Sequence, residues 1–224
     1  SDGSDRNQWP ERQPHFYEAM DRFFLEASLV AERTLKLVYR ALAGEGINEL
    51  PMPEGDPRTS TVRLNYYPFI DPLSDDEKDT AADLGDMALH QHTDPGVLTL
   101  LLQDMIGGLQ TLSKKDGWID VVPEESSIVV NLGDSLQVWS NDNYRAAVHR
   151  VVPMDTLING GRGRFSTPFF YNPTGNAVLE PLAELSGGSP VYQSFTWRDY
   201  IKGRVDDNFT DLGEEDIQIA QFRI

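Results

Sequence analysis

The chain has 224 residues, 39% apolar and 10% aromatic, which is core enough for one globular domain and excludes the disordered and collagen-like classes. Its 19 Lys and Arg stand against 36 Asp and Glu, a formal charge of −17, so it lacks the concentrated basic surface that nucleic acid or an anionic membrane demands. No apolar run approaches the roughly 18 residues of a bilayer span. Zero cysteines exclude disulfides, a thiolate nucleophile and Cys-based metal sites, leaving His, Asp and Glu to hold any transition metal. A soluble, cytoplasmic protein is expected, with no membrane, nucleic-acid or obligate protein partner.

Residues 1 to 13 are polar and read as loop. From Pro14 the apolar positions Phe16, Met20, Phe23, Phe24, Ala27, Val30, Ala31, Leu35, Val38 and Leu42 recur at three- and four-residue steps, which predicts one helix over 14–43 that Gly44 stops. Such a helix is about 45 Å long, enough to brace a sheet from outside. Pro51, Pro53 and Pro57 then impose a loop.

From Thr61 the pattern changes to short apolar or alternating runs. Strands are expected over 61–67, 96–103, 109–112, 118–122, 127–132, 146–152 and 164–170, with tight turns at Lys115-Asp116-Gly117 and Gly160-Gly161. The acidic stretch 74–86 is expected to hold a short exposed helix. Short strands with regular turns and no long helix between them imply an antiparallel sandwich or barrel over 61–173. Thr196 is placed to cap a short helix carrying Trp197, Tyr200, Ile201 and Val205, and 217–224 reads as an extended tail closing a C-terminal region of 194–224.

The chain has four histidines. His90, His92 and Asp94 share one face if their segment is extended. His149 lies in a strand-like run 55 residues after Asp94. A lone strand histidine is most often a hydrogen-bonded core residue. Two imidazoles and a carboxylate on neighbouring strands, however, form the facial arrangement that holds Fe(II) with open positions; zinc uses similar atoms, so the ligands alone do not fix the metal. Fifteen residues beyond His149, Arg164 and Ser166 are two apart on a strand and can grip one carboxylate by a charged fork plus a hydrogen bond. Arg162 is a rival cation without that serine partner.

Taken together, His92-Thr93-Asp94, His149 and Arg164-Phe165-Ser166 resemble the signature of the Fe(II)- and 2-oxoglutarate-dependent oxygenases, in the branch that includes isopenicillin N synthase. The likeness extends to Asn7-Gln8-Trp9-Pro10, Asn65-Tyr66-Tyr67-Pro68, Gly108-Leu109-Gln110, Asn131-Leu132-Gly133-Asp134 and Ser140-Asn141.

The resemblance implies a mainly-β, double-stranded β-helix (jelly roll) braced by the long N-terminal helix, with Fe(II) on His92, Asp94 and His149. It implies 2-oxoglutarate held at its far carboxylate by Arg164 and Ser166, with Tyr67 and Asn65 beside it, and dioxygen as co-reactant. Phe170 matches a position that packs on the organic substrate. His90 is then a supporting strand residue, and Asp134 a turn residue rather than a ligand. The expected activity is oxidation of a small organic molecule with release of succinate and CO₂, without a side-chain general base. Members of the branch usually carry roughly a hundred residues before the long helix, so a further N-terminal region is expected to be missing from this single oxygenase domain of residues 1–224. Two alternatives stand: an isopenicillin N synthase-like oxidase that does not use 2-oxoglutarate, and a non-catalytic jelly roll that only binds a ligand.

Overall fold

The computed structural model describes residues 7–44, 53–68, 88–152, 162–209 and 217–224. The expected helix over 74–86 and the Gly160-Gly161 turn lie outside these residues.

Helix α1 spans Pro14–Ala43, the expected range, with Pro14 in its first turn and Gly44 beyond its end at φ 58°. Its buried stripe is Ala27, Ala31, Leu35 and Tyr39, four residues apart. The stripe is narrower than the apolar pattern, since Phe16 and Val30 are exposed.

Among the described residues, nine strands build two antiparallel sheets: β1 (Thr61–Val62), β2 (Asn65–Tyr67), β3 (Leu89–His92), β4 (Leu98–Gln103), β5 (Leu109–Ser113), β6 (Gly117–Asp120), β7 (Val129–Leu132), β8 (His149–Val151) and β9 (Arg164–Tyr171). The first sheet runs β1-β9-β4-β7, with β2 also on β9; the second runs β3-β8-β5-β6. The expected strand 61–67 is thus two pieces broken at Arg63 and Leu64, although Arg63 N still donates to Pro168 O at 3.0 Å. Gly117, at φ 73°, makes the tight turn between β5 and β6 as expected.

Alternation on the first sheet separates two environments. Leu98, Leu100, Phe169 and Tyr171 point outward and form the hydrophobic core with α1, where Phe24 meets Phe169 edge-on at 5.3 Å. Fully burying a side chain such as Phe169 stabilises by about 1.5–3 kcal/mol. The inward positions Thr99, Leu101, Arg164, Ser166, Pro168 and Phe170 line a cavity closed from the opposite side by Leu89, His92, Thr111, His149 and Val151 of the second sheet.

Helix α2 (Asp134–Trp139) is fully buried and follows β7 directly. Gly133 makes the junction possible, because a Cβ there would collide with the carbonyl oxygens of Gly96 and Asp94. Strand β10 (Val178–Leu179), helix α3 (Ala183–Ser186), strand β11 (Phe195–Thr196) and helix α4 (Trp197–Phe209) follow β9 in the chain. Thr196 Oγ1 caps α4, accepting from Asp199 N at 3.2 Å and donating to Asp199 Oδ2 at 2.6 Å. The expected extended tail is corrected: residues Ile219–Phe222 form a 3₁₀ turn closed by Gln218 and Gln221. The aromatic Phe222 stacks on Phe195 at 3.9 Å, a contact an extended chain would forgo.

Candidate metal centre and cosubstrate pocket

His92 ends β3, His149 opens β8, and the two residues pair across these strands. Asp94 follows β3 in a tight segment whose backbone is held by α2, Asp134 N donating to Asp94 O at 2.8 Å. The result is a cluster in which Asp94 Oδ1 lies 3.8 Å from His92 Nε2 and 3.7 Å from His149 Nε2. One ligand atom from each residue lies within 4.8 Å of the others, close enough for a single ion to bridge them.

The protonation pattern suits a cation. Nδ1 of His92 lies 2.8 Å from the carbonyl of His90, and Nδ1 of His149 lies 2.8 Å from that of Ala147. A carbonyl only accepts, so each Nδ1 carries the proton and each Nε2 offers a bare lone pair toward Asp94. Burial, then the neighbouring His149, holds His92 below its ordinary value of 6.5, which favours the neutral ligand form. Asp94 is 4% exposed, and its Oδ2 accepts from Thr99 Oγ1 at 2.6 Å and Asn131 Nδ2 at 2.8 Å. Those bonds orient the carboxylate and leave Oδ1 aimed at the imidazoles. A His₂-carboxylate donor set with fixed tautomers and a restrained carboxylate fits a divalent transition metal.

Thr93, between two of these residues, is itself restrained. Its hydroxyl donates to Asp134 Oδ2 at 3.2 Å, and its carbonyl accepts from Arg204 Nη2 of α4 at 2.9 Å. Asp134 is fully buried and also accepts from Tyr200 OH at 2.6 Å; burial raises its pKa. This corrects the turn reading of Asp134, which opens α2 and anchors the ligand segment from beneath. It is not part of the His92, Asp94 and His149 cluster. His90 has an exposed side chain and contributes through its carbonyl.

In the same cavity Arg164 is 1% exposed. Its Nη1 donates to Ser166 Oγ at 3.2 Å and its Nη2 to Gln103 Oε1 at 3.1 Å, while Nε has no partner. The ring of Tyr67 lies 5.1 Å from its guanidinium, and Asn65 Nδ2 donates to Ser166 Oγ at 3.4 Å. Strand register explains the grouping: Tyr67 pairs with Arg164 and Asn65 with Ser166 across β2 and β9. No described carboxylate forms an ion pair with this guanidinium, and desolvation lowers its pKa. Its hydrogen-bond partners are neutral and Asp104 attracts it without forming an ion pair, so a buried cation here calls for an anion to complete the site. Arg162 is exposed and does not line the cavity. Phe170 does, six positions along β9 from Arg164.

Sequence patterns missed Thr99, Gln103, Tyr200 and Arg204. Thr99 and Gln103 carry an inward parity shared with Leu101, but parity alone does not say which polar residue meets a ligand. Tyr200 and Arg204 reach the site from far along the chain, Arg204 bonding a residue 111 positions away, where no local pattern points to it.

Comparison with known proteins agrees with this geometry. Residues 58–173 match the 2OG-Fe(II) oxygenase superfamily, and the chain belongs to that family. It is 33% identical to jasmonate-induced oxygenase 2 of Arabidopsis thaliana over 88% of this chain and 49% of that protein. It is 34% identical to the 2-oxoglutarate-Fe(II) type oxidoreductase hxnY of Emericella nidulans over 88% of this chain and 54% of that one. The chain thus spans about half the length of these curated relatives. Among solved structures, a full-length Neurospora crassa protein in complex with alpha-KG superposes with a TM-score of 0.76 at 27% identity, covering 92% of this chain and 62% of that one. JOX2 in complex with 2OG, Fe and JA gives a TM-score of 0.64 at 29% identity, covering 88% and 55%. The fold is the expected jelly roll with a long helix at its N-terminal side. Among the described residues, no helix is long and apolar enough to cross a membrane.

Proposed function

We propose that this chain forms one oxygenase domain over 1–224, part of an Fe(II)- and 2-oxoglutarate-dependent enzyme that oxidises a small organic molecule and releases succinate and CO₂. The observation that carries this reading is one cavity holding both the His92–Asp94–His149 cluster and a buried Arg164 with no described carboxylate paired to it. His92 Nε2, Asp94 Oδ1 and His149 Nε2 hold the metal; Arg164 and Ser166 grip the far carboxylate of 2-oxoglutarate, with Tyr67 and Asn65 shaping that end. When bound, iron(II) supplies the coordination positions the protein leaves open for a chelating 2-oxo acid and dioxygen, and the 2-oxo acid furnishes two electrons.

The protein's own part is restraint. Thr99 and Asn131 keep Asp94 Oδ1 turned to the metal, backbone carbonyls keep both imidazoles in the ligating tautomer, and Phe170 presents an apolar wall to the substrate. The 2OG-bound relatives support the cosubstrate, and the thymine and JA held in neighbouring structures support a small organic substrate. A cytoplasmic location, without membrane or nucleic-acid partners, is consistent with the −17 charge and zero cysteines.

The test is anaerobic addition of 2-oxoglutarate to the Fe(II)-loaded full-length protein, followed by admission of oxygen. A weak visible charge-transfer band is expected, followed by succinate from slow turnover without substrate, with added ascorbate supplying the two electrons the absent substrate would give. Folded, iron-loaded protein that gives neither is instead the oxidase of the isopenicillin N synthase type, or a binding protein.

A further inference from the structure

With iron(II) and 2-oxoglutarate bound, the site described above would be balanced in charge: two positive charges from the metal and one from Arg164 against Asp94 and the two carboxylates of 2-oxoglutarate. Two more guanidiniums line the same cavity, Arg63 and Arg145. Arg145 has a carboxylate already, Asp142 at 3.3 Å. Arg63 pairs with no described carboxylate. Its guanidinium instead lies 5.7 Å from the centroid of the Phe170 ring, the wall assigned to the organic substrate. Arg63 is exposed at the rim, so it reaches solvent as well as the cavity it lines, and its fixed contact is the Phe170 ring.

Its position separates it from the cosubstrate. The backbone of Arg63 is fixed opposite Pro168 by a 3.0 Å hydrogen bond. Pro168 is four residues from Arg164 on β9, about 13 Å along a strand, and only two from Phe170, about 7 Å. The Arg63 guanidinium lies over the ring of Phe170, which stands six residues along β9 from Arg164. A guanidinium against an aromatic face is held in place while its N–H edge stays available for a bidentate bond to an anion. Leu89, Leu101, Val121, Val151 and Pro168 line the same cavity, and its volume of about 430 Å³ suits a small molecule.

Resting on the oxygenase reading above, we propose that Arg63 anchors a carboxylate of the organic substrate, so that the substrate class is a small, largely apolar monocarboxylic acid. The acid group lies at Arg63, and the apolar body runs along Phe170 toward the metal centre.

The experiment uses full-length protein loaded with Mn(II) and 2-oxoglutarate, probed with phenylacetate, 3-phenylpropionate and cinnamate, each beside its neutral primary amide. Binding is read by Mn(II)-dependent relaxation of the probe's NMR signals. At least one carboxylate should bind tenfold or more tighter than its amide. Arg63→Gln should abolish that preference, Arg63→Lys should keep part of it, and Arg145→Gln should leave it. Affinity for 2-oxoglutarate, measured by calorimetry, should stay within twofold in Arg63→Gln. The proposal is overturned if amides bind as well as acids, if the preference survives in Arg63→Gln, or if no acid binds to protein that does bind 2-oxoglutarate. Arg63→Gln that loses 2-oxoglutarate as well reassigns Arg63 to the cosubstrate. If the unsubstituted protein fails to bind 2-oxoglutarate, the oxygenase reading falls first and takes this one with it.

Discussion

Each ligand-forming side chain depends on a different kind of support, and the expected mutational effects differ accordingly. Replacing His92, Asp94 or His149 by Ala should abolish Fe(II) binding in anaerobic titration, whereas His90→Ala should retain it, because only the His90 carbonyl is used. Asn131→Ala and Thr99→Val remove the bonds that hold Asp94 Oδ2 and should weaken iron about 10- to 100-fold without removing a ligand. Arg164→Leu should weaken 2-oxoglutarate by roughly 2–5 kcal/mol while leaving iron affinity near that of the parent. Ser166→Ala should cost about 1 kcal/mol, one hydrogen bond's worth. Equal loss of iron and cosubstrate in Arg164→Leu would count against these assignments. The pairs His92 and Asp94, and Arg164 and Ser166, were legible because each sits two positions apart and turns to one cavity. The supporting partners were not, because a hydrogen bond from Asn131 to Asp94 spans 37 positions and leaves no periodic trace.

At the scale of elements, α1 and β9 were readable almost to the residue: a three-to-four repeat ended by Gly44, and an alternating run after Gly163. Helix α2 was invisible because it is buried on every side, so Asp134–Trp139 carries no amphipathic signature. The C-terminal turn was misread because its order comes from contacts made by Phe222 rather than from its own propensity. Packing of α1 yields a direct test. Ala31 has no exposed surface, so Ala31→Leu should overpack the helix against the sheet and cost about 1–3 kcal/mol in urea unfolding. A second concerns Asp142, just beyond α2. Burial opposes its charge, but bonds from Tyr192 and Arg223 outweigh that and hold its carboxyl below the ordinary value of 3.8. A carboxyl depressed in the folded state contributes stability above the unfolded value, and that contribution disappears as pH falls through the folded one. Acid unfolding below about pH 3.8 should therefore begin earlier in the parent than in Asp142→Asn, measured relative to each protein's stability at pH 7.

For the molecule as a whole, cosubstrate binding must feed back on folding. At a hundredfold excess over its dissociation constant, 2-oxoglutarate with metal should stabilise the native state by about 2.7 kcal/mol, a rise of roughly 5–10 °C in Tm for a chain of this size. Calorimetry of Arg164→Leu should show the metal's share of that rise and lose the cosubstrate's. The same coupling runs through Thr93, which ties the metal segment to Asp134 of α2 and Arg204 of α4. A jelly roll whose hydrophobic core lies outside its first sheet, under α1, has its chemistry and its cohesion printed on opposite faces of the same strands. Along β9 the odd-numbered Phe169 and Tyr171 belong to the scaffold, and the even-numbered Arg164, Ser166, Pro168 and Phe170 belong to the cavity. Substrate preference can therefore drift at Pro168 and Phe170 with little toll on folding, and a combinatorial library confined to these two, with Arg164 and Ser166 kept for the cosubstrate, should yield folded proteins of altered selectivity far more often than one drawn from Phe169 and Tyr171.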